Sequence, residues 1–309
     1  MKDISLKPSS KRSAVATCTL RAPNHCIELL RERKTAKGDA LEISRMAGIM
    51  AAKNTQQILP FCHQVPILNA EVRYELGEDR VRIEAEVEVI AGTGVEMEAL
   101  TAASVTALCL YDMLKPHVDQ QKMQITDTRL LRKKGGKSHF KRQLNVEAKA
   151  VVIVLSDTVS RGEKPDTAGK SIVDGLSAAG FEIAGYEILP DESDQLNGRM
   201  DHWLEQGVDL LITCGGTGIS PRDVTIEVVK PLIKTEMPGL MEAARSFGQD
   251  RTPFAMMSRG VAGMNGNTLI ATFPGSRGGA EETLAALLPG VVHLVEVCRT
   301  TAGHEGGYK

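Results

Sequence analysis

"LLITCGGTGISPRDVT" (residues 210–225) reads as a buried strand running into a glycine loop and then into a helix. Glycines let a backbone approach an anion closely, and a helix start offers it free N–H groups. A common phosphate loop ends in Gly-Lys-Ser/Thr, but this one ends in Arg-Asp. The same strand–helix rhythm repeats outward from it. "AVVIVLS" (150–156), "FEIAGYEIL" (181–189) and "TLIATFPGS" (268–276) are further apolar strands. "TAGKSIVDGLSAAG" (167–180), "QLNGRMDHWLEQG" (195–207), "VTIEVVKPLIK" (224–234) and "GAEETLAALLPGVVHLVEVCR" (279–299) carry helical periodicity between and after them. Continuous apolar strands separated by helices predict an α/β, doubly wound, mostly parallel sheet. Ligands of such sheets bind beyond the carboxyl ends of the strands, where the glycine loop falls.

That edge is expected to gather residues from four loops. Ser156, Asp157 and Thr158 follow the first strand, and Asp191 and Glu192 follow the second in "LPDES". Gly215, Gly216, Thr217, Gly218 and Asp223 follow the third; Pro274, Gly275, Ser276 and Arg277 follow the last. Asp223 in "RDVT" also has a structural reading as a helix N-cap, and Asp191 as a turn residue. Two carboxylates beside a glycine loop equally suit Mg²⁺ shared with phosphate oxygens. A Mg·nucleotide site, with Asp191 and Asp223 on the metal side, would account for acid where lysine is expected.

The ordered set "SDTVSRGEKPDTAG", "LPDE", "CGGTGISPRDVT", "MPGL", "FAMMSRGVAG" and "FPGSRGGAEE", over about residues 148–299, resembles the molybdopterin adenylyltransferase family (MogA/MoaB). The resemblance implies transfer of AMP from Mg·ATP to the terminal phosphate of molybdopterin. Asp191 and Asp223 then match the two functional aspartates, Gly215 to Gly218 the substrate-binding loop, and Ser258 with the Pro274–Arg277 turn the pterin side. Such chemistry is dominated by positioning and charge neutralisation. Ile226 stands where that family usually has proline, a change expected to affect local stiffness more than chemistry.

The first half carries a different pattern. In "AEVRYELGEDRVRIEAEVEVI" (70–90), Val72, Tyr74 and Leu76 alternate with charge, as do Val81, Ile83, Ala85, Val87 and Val89. Two such runs around Gly-Glu-Asp predict a β-hairpin with one wet face. "SAVATCTL" (13–20) and "QKMQITDTRLLRK" (121–133) read as strands. "APNHCIELLRER" (22–33), "DALEISRMAGIMAAKNTQQIL" (39–59) and "VEMEALTAASVTALCLYDMLK" (95–115) read as helices. Helices on one face of an antiparallel sheet make an α+β layer fold.

Several side chains here invite chemistry. "LPFCHQVP" fixes Cys62 and His63 between prolines, with a hydrogen-bonded structural histidine as the plainer reading. Glu98 and Asp112 share a helical face but are about 21 Å apart along the axis, too far for one small substrate. Either one end is catalytic or sites are built from two subunits. Asp112 and Lys115 are i,i+3 neighbours, which alone means a surface ion pair. Lys37 and Lys53 flank one helix, and seven of the fourteen residues 129–142 are basic. Few aromatics and no groove-reading motif disfavour nucleic acid as the partner, and a small polyphosphate ligand suits the lysines better.

"KGDALEISRMAGIMAAKNT", "LPFCHQVP", "GTGVEMEALTAAS", "YDMLK" and "LLRKKGGKS", over about residues 1–139, resemble the cyclic pyranopterin monophosphate synthase family (MoaC). The resemblance implies an α+β ferredoxin-like fold, a hexamer built from dimers, and sites at the dimer interface. The substrate would be a cyclised dihydroguanosine triphosphate, converted to the pterin with release of pyrophosphate. Asp112 would be the general acid/base, assisted by Lys37 and Lys115. Lys53, Cys62, His63, Glu96, Met97, Glu98 and Lys133 would bind or orient substrate. No tightly bound cofactor is expected in this half. "KSHF" replaces a common Gly-Asp-Phe ending after the glycines.

The halves also differ in charge. Residues 1–145 carry 23 Lys+Arg against 17 Asp+Glu, and residues 146–309 carry 14 against 22. A basic and an acidic half are expected to bind different ligands. The 309 residues therefore divide, on this reading, into domains at 1–143 and 148–303. The six cysteines lack C-x-x-C spacing, "MKDISLKPSS" lacks a signal peptide's apolar core, and no apolar run reaches roughly 18 residues. The expectation is a cytoplasmic homo-oligomeric bifunctional enzyme, with the second half trimeric by family habit, pterin and nucleotide substrates, and no membrane or nucleic-acid partner. The alternative keeps the first activity and makes the second half a noncatalytic pterin-binding module.

Overall fold

The computed structural model describes residues 1–136 and 143–299. The chain divides into two compact units, residues 1–140 and 141–309.

The first unit runs β1 (Ser10–Arg21), α1 (Asn24–Arg31), α2 (Ala40–Lys53), α3 (Thr55–Ile58), β2 (Ile67–Leu76), β3 (Arg80–Ala91), α4 (Glu96–Leu114) and β4 (Gln124–Lys134). The sheet order is β2-β3-β1-β4 with every neighbouring pair antiparallel. This is the ferredoxin-like split β-α-β arrangement. The hairpin forms as its alternation demands: Val81, Ile83, Ala85, Val87 and Val89 are fully buried, while Arg82, Glu84, Glu86 and Glu88 take the other face. Ala14, Ala16, Cys18 and Leu20 of β1 join them, and α4 closes the layer with Ala99, Ala103, Ala107 and Leu110. Small residues let α4 lie close to the sheet.

One expectation changes here. The helix expected over 39–59 is two helices, because Asn54 stops α2: its side chain donates to the Met50 carbonyl at 2.9 Å. By length and composition the helix over Glu96–His117 is long and apolar enough to cross a membrane, a test that the core helix of a layered domain also meets. Half of it is buried against its own sheet, as the core helix of a two-layer domain must be.

The second unit runs β5 (Lys149–Leu155), α5 (Asp157–Ser160), α6 (Ala168–Ala178), β6 (Glu182–Leu189), α7 (Ser193–Glu205), β7 (Leu210–Cys214), α8 (Thr225–Leu232), β8 (Thr235–Glu236), α9 (Pro238–Gln249), β9 (Ala262–Asn265), β10 (Thr268–Phe273) and α10 (Arg277–Arg299). The order is β6-β5-β7-β10-β9-β8. The first four strands are parallel, and β9 and β8 extend the sheet antiparallel. Cores lie on both faces, one under α6 and α10 and one under α7 and α8. Strand order reverses between β5 and β7, which makes their carboxyl ends the switch-point crevice of a doubly wound sheet. The periodicity of the sequence does not anticipate α9, β8 and β9. Ile226 is buried in the first turn of α8.

Candidate active sites

In the first unit Lys37 sits in a turn closed by Gly38 N donating to the Thr35 carbonyl at 3.1 Å. Gly38 adopts φ +105°, a left-handed conformation that favours glycine. The turn carries Lys37 to the end of α4. Lys37 Nζ lies 2.6 Å from Asp112 Oδ2, and Lys115 Nζ lies 2.6 Å from Asp112 Oδ1. Hydrogen bonds from Lys115 and then Lys37 pull the Asp112 carboxyl down to about 2. Asp112 is therefore a carboxylate at neutral pH, with one ammonium group on each oxygen.

A carboxyl lowered in the fold contributes stability that is complete above the ordinary value near 4 and is lost as pH falls towards 2. The carboxyl ¹³C resonance of Asp112 is expected to titrate with a midpoint near 2. Lys115→Ala should move that midpoint up further than Lys37→Ala, and equal midpoints in all three proteins would refute the pairing.

The other expected residues gather at the opposite end of α4. Lys133 Nζ contacts Glu96 Oε1 at 3.2 Å, and Met97 is partly exposed beside it in sequence. Glu98 is 4% exposed, and burial raises its carboxyl, with the Glu96 charge adding to the rise. Burial raises the Cys62 thiol, and the Glu98 charge adds to it, so Cys62 and Glu98 are neighbours. His63 Nε2 donates to the Lys2 carbonyl at 2.8 Å. Gly48 of α2 packs on Ala102 and Thr106 of α4, while the start of α2 follows Lys37 at the Asp112 end. The two helices thus run antiparallel, and Lys53 falls at the Glu98 end. Within one chain the two clusters remain about 21 Å apart by helical rise. Lys137, Lys141 and Arg142 of the basic stretch, with "KSHF", lie outside the described residues.

In the second unit the four parallel strands deliver their loops to one edge. Ser156 Oγ accepts from Val159 N at 3.3 Å to cap α5, and Thr158 Oγ1 lies 3.2 Å from it. Asp157 and Asp191 are cross-linked through backbone: Asp157 N donates to Asp191 Oδ2 at 3.0 Å, and Asp191 N to Asp157 Oδ1 at 3.1 Å. Arg222 joins them, donating to Asp157 Oδ2 at 2.6 Å and to Glu192 Oε1 at 3.3 Å. The bond from Asp191 N and then the Arg222 guanidinium hold the Asp157 carboxyl below its ordinary value. Burial raises that of Asp191, and the Asp157 and Asp223 charges add to the rise. Three carboxylates thus crowd the switch point.

The glycine loop is fixed from beneath. Thr225 Oγ1 donates to the Gly215 carbonyl at 2.8 Å, and Thr225 N to the Gly216 carbonyl at 3.2 Å. Gly215 has φ +105°, and a Cβ there would stand 2.2 Å from the Leu155 carbonyl oxygen. Only glycine lets this loop pack on the end of β5. Gly215→Ala is expected to cost about 2 kcal/mol or more. A calorimetric scan should show one transition lowered by about 5 °C, and an unmoved transition would rule the clash out.

Asp223 corrects an expectation. It does not cap α8, whose N-cap is Val224 with no side-chain bond. Its Oδ2 instead accepts from Ser220 N at 2.7 Å, because the Ser220–Asp223 turn folds the carboxylate back over the loop. It faces Gly218, where a Cβ would lie 2.9 Å from Oδ2. Arg259 clamps the same loop, donating to the Gly218 carbonyl at 2.6 Å, the Asp223 carbonyl at 3.1 Å and Glu227 Oε1 at 2.5 Å. Its backbone N–H donates to the Thr217 carbonyl at 3.1 Å. Nothing in the sequence pattern singles out Arg222 or Arg259, although each adjoins a residue that it does.

Ser258, Pro274 and Ser276 line a cleft of 390 Å³ together with Arg245 and Glu282. Gly275 connects it to the glycine loop, since a Cβ there would lie 3.1 Å from Gly215 Cα. Among the described residues no cluster of three or more His, Cys, Asp or Glu side chains is arranged to hold a metal, and all six cysteines are free thiols. Asp191 and Asp223 have oxygens to spare, which suits a divalent ion carrying most of its ligands as phosphate and water.

The structure defines a protein with two charged candidate sites, a basic–acid–basic cluster on a ferredoxin-like unit and an acidic crevice on a doubly wound unit. Comparison with known proteins makes it specific. The MoaC family model matches residues 1–136, and the probable molybdopterin binding domain matches residues 151–293. A "molybdenum cofactor biosynthesis bifunctional protein" of Chlorobaculum tepidum is 37% identical over 293 residues, covering 95% of this chain and 92% of that one. One of Synechococcus elongatus is 31% identical over 312 residues, covering 97% of each. A cyclic pyranopterin monophosphate synthase of Clostridium perfringens is 45% identical over 140 residues, 45% of this chain and 87% of that one. The chain belongs to the family of bifunctional molybdenum cofactor biosynthesis proteins, with a MoaC domain followed by a MogA/MoaB-like domain.

Proposed function

We propose that the N-terminal domain (1–143) converts a cyclised dihydroguanosine triphosphate to cyclic pyranopterin monophosphate with release of pyrophosphate. The C-terminal domain (148–303) adenylylates molybdopterin with Mg·ATP. The first reading is carried by Asp112 held between two ammonium groups at 2.6 Å each. Such a carboxylate starts ionised and takes a proton, while Lys37 and Lys115 meet phosphate charge or return the proton. Cys62, His63, Glu96, Met97, Glu98, Lys133 and Lys53 would bind and orient the purine-derived ring. Because the two clusters lie at opposite ends of α4, each complete site draws one end from a second chain. This agrees with the dimer-built hexamer that the MoaC resemblance implies; with the trimer that the MogA/MoaB resemblance implies for the second domain, the protein is read as a homo-oligomer, in the cytoplasm.

The second reading rests on Asp157, Asp191 and Asp223 meeting at the switch point beside Gly215 to Gly218. Mg²⁺ bound with ATP would supply charge neutralisation at the transferred adenylyl group and the leaving pyrophosphate. Asp191 and Asp223 would hold its protein side, Ser156 to Thr158 and the glycine loop the phosphates, and Ser258 with Pro274 to Ser276 the pterin. Mass spectrometry tests both readings on the full chain. The cyclised nucleotide alone should yield the cyclic phosphate and pyrophosphate. Molybdopterin with Mg·ATP should yield the adenylylated pterin, and absence of either product removes that half of the proposal.

A further inference from the structure

His117 belongs to neither cluster of the first unit. It is half-buried at the end of a 3₁₀ turn that continues α4 through Lys115. Its Nε2 accepts the backbone N–H of Ala36 at 3.0 Å. Ala36 immediately precedes Lys37, so this bond ties the turn that carries one ammonium group to the segment that carries the other. An acceptor at Nε2 means the ring proton sits on Nδ1. The His117 carbonyl in turn accepts from His25 Nε2 at 3.2 Å, anchoring the segment to the first turn of α1. Among the described residues the turn has few other anchors: Thr35 and Gly38 bond to each other across it, and Lys37 reaches the Asp112 carbonyl and carboxylate through a flexible stem.

We infer that His117 is a positioning residue that sets Lys37 against Asp112 by holding the Ala36 N–H. The inference rests on the proposed role of the Lys37–Asp112–Lys115 cluster. Loss of the acceptor should leave substrate binding at the far cluster intact and misplace one ammonium group at the reacting end. Small misplacements of this kind are costly to turnover.

The test compares His117→Leu, which removes the acceptor, with His117→Gln, whose amide oxygen restores one, in the full chain. His117→Leu should lower kcat of the N-terminal conversion roughly tenfold with KM within about twofold, and His117→Gln should recover most of it. Adding His117→Leu to Lys37→Ala should cost nothing further, since the effect runs through Lys37. Imidazole ¹⁵N shifts in the wild type should report the Nδ1–H tautomer. An unchanged kcat in His117→Leu beside an inactive Lys37→Ala overturns the inference, as do additive losses in the double variant or the opposite tautomer. A fully active Lys37→Ala instead removes the catalytic reading of the cluster, and the inference with it.

Discussion

Asp112→Asn is expected to lower N-terminal turnover by roughly 10²- to 10⁴-fold, the range spanned by general acid–base groups. Asparagine keeps the shape but has a single oxygen, so it can accept from only one of Lys37 and Lys115, which sit 2.6 Å from the two carboxylate oxygens, and it turns an amide donor towards the other. It cannot take a proton or balance two positive charges. Asp112→Ala removes shape and charge together and leaves the ammonium groups facing each other across a gap. If charge and proton transfer are the function, both variants fall together. If Asp112 only holds the turn in place, the asparagine variant keeps most of its turnover. The unfolding midpoint should barely change in either, because an exposed ion pair contributes little to stability. The assay is pyrophosphate release from the cyclised nucleotide, and wild-type rates in Asp112→Asn would remove the residue from the chemistry.

The two architectures are legible in the sequence because their periodicities are strong. Val81 to Val89 alternate with arginine and glutamate, and a strand with one wet face has no other way to bury them. The apolar strands of the second half lie between helices on both faces and read as unbroken runs for that reason. The short antiparallel extension is hidden because β8 has two residues and β9 four, too few to show a period. Site residues divide in the same way. Asp157 and the glycine loop stand out by their place after a strand, whereas Asp112 and Lys115, by spacing alone a surface ion pair, stand out only through the family resemblance. His117, Arg222 and Arg259 act through partners 81, 65 and 41 residues away, which no local pattern encodes. Asp223 misleads for the opposite reason. Its local sequence fits a helix cap, but the helix starts one residue later than that cap requires, and the carboxylate goes to Ser220 N.

Asp223→Asn should reduce adenylyl transfer by roughly 10²-fold or more while leaving N-terminal turnover unchanged, since the residue lies in the other domain. The local fold should survive, because an asparagine oxygen can still accept from Ser220 N. What changes is the charge at the crevice. Asp191 is pushed up by burial and by its acidic neighbours, one of which is Asp223. Removing that neighbour should let the Asp191 carboxyl titrate at lower pH, a shift visible by carboxyl ¹³C resonance with no substrate present. The affinity for Mg·ATP should fall in the same variant, because only one aspartate would then face the ion. A lowered Asp191 midpoint with undiminished transfer would mean that the crevice is acidic for reasons unrelated to adenylylation. Molybdopterin binding without adenylyl transfer, already in the wild type, would make the C-terminal domain a pterin-holding module whose aspartates do no chemistry.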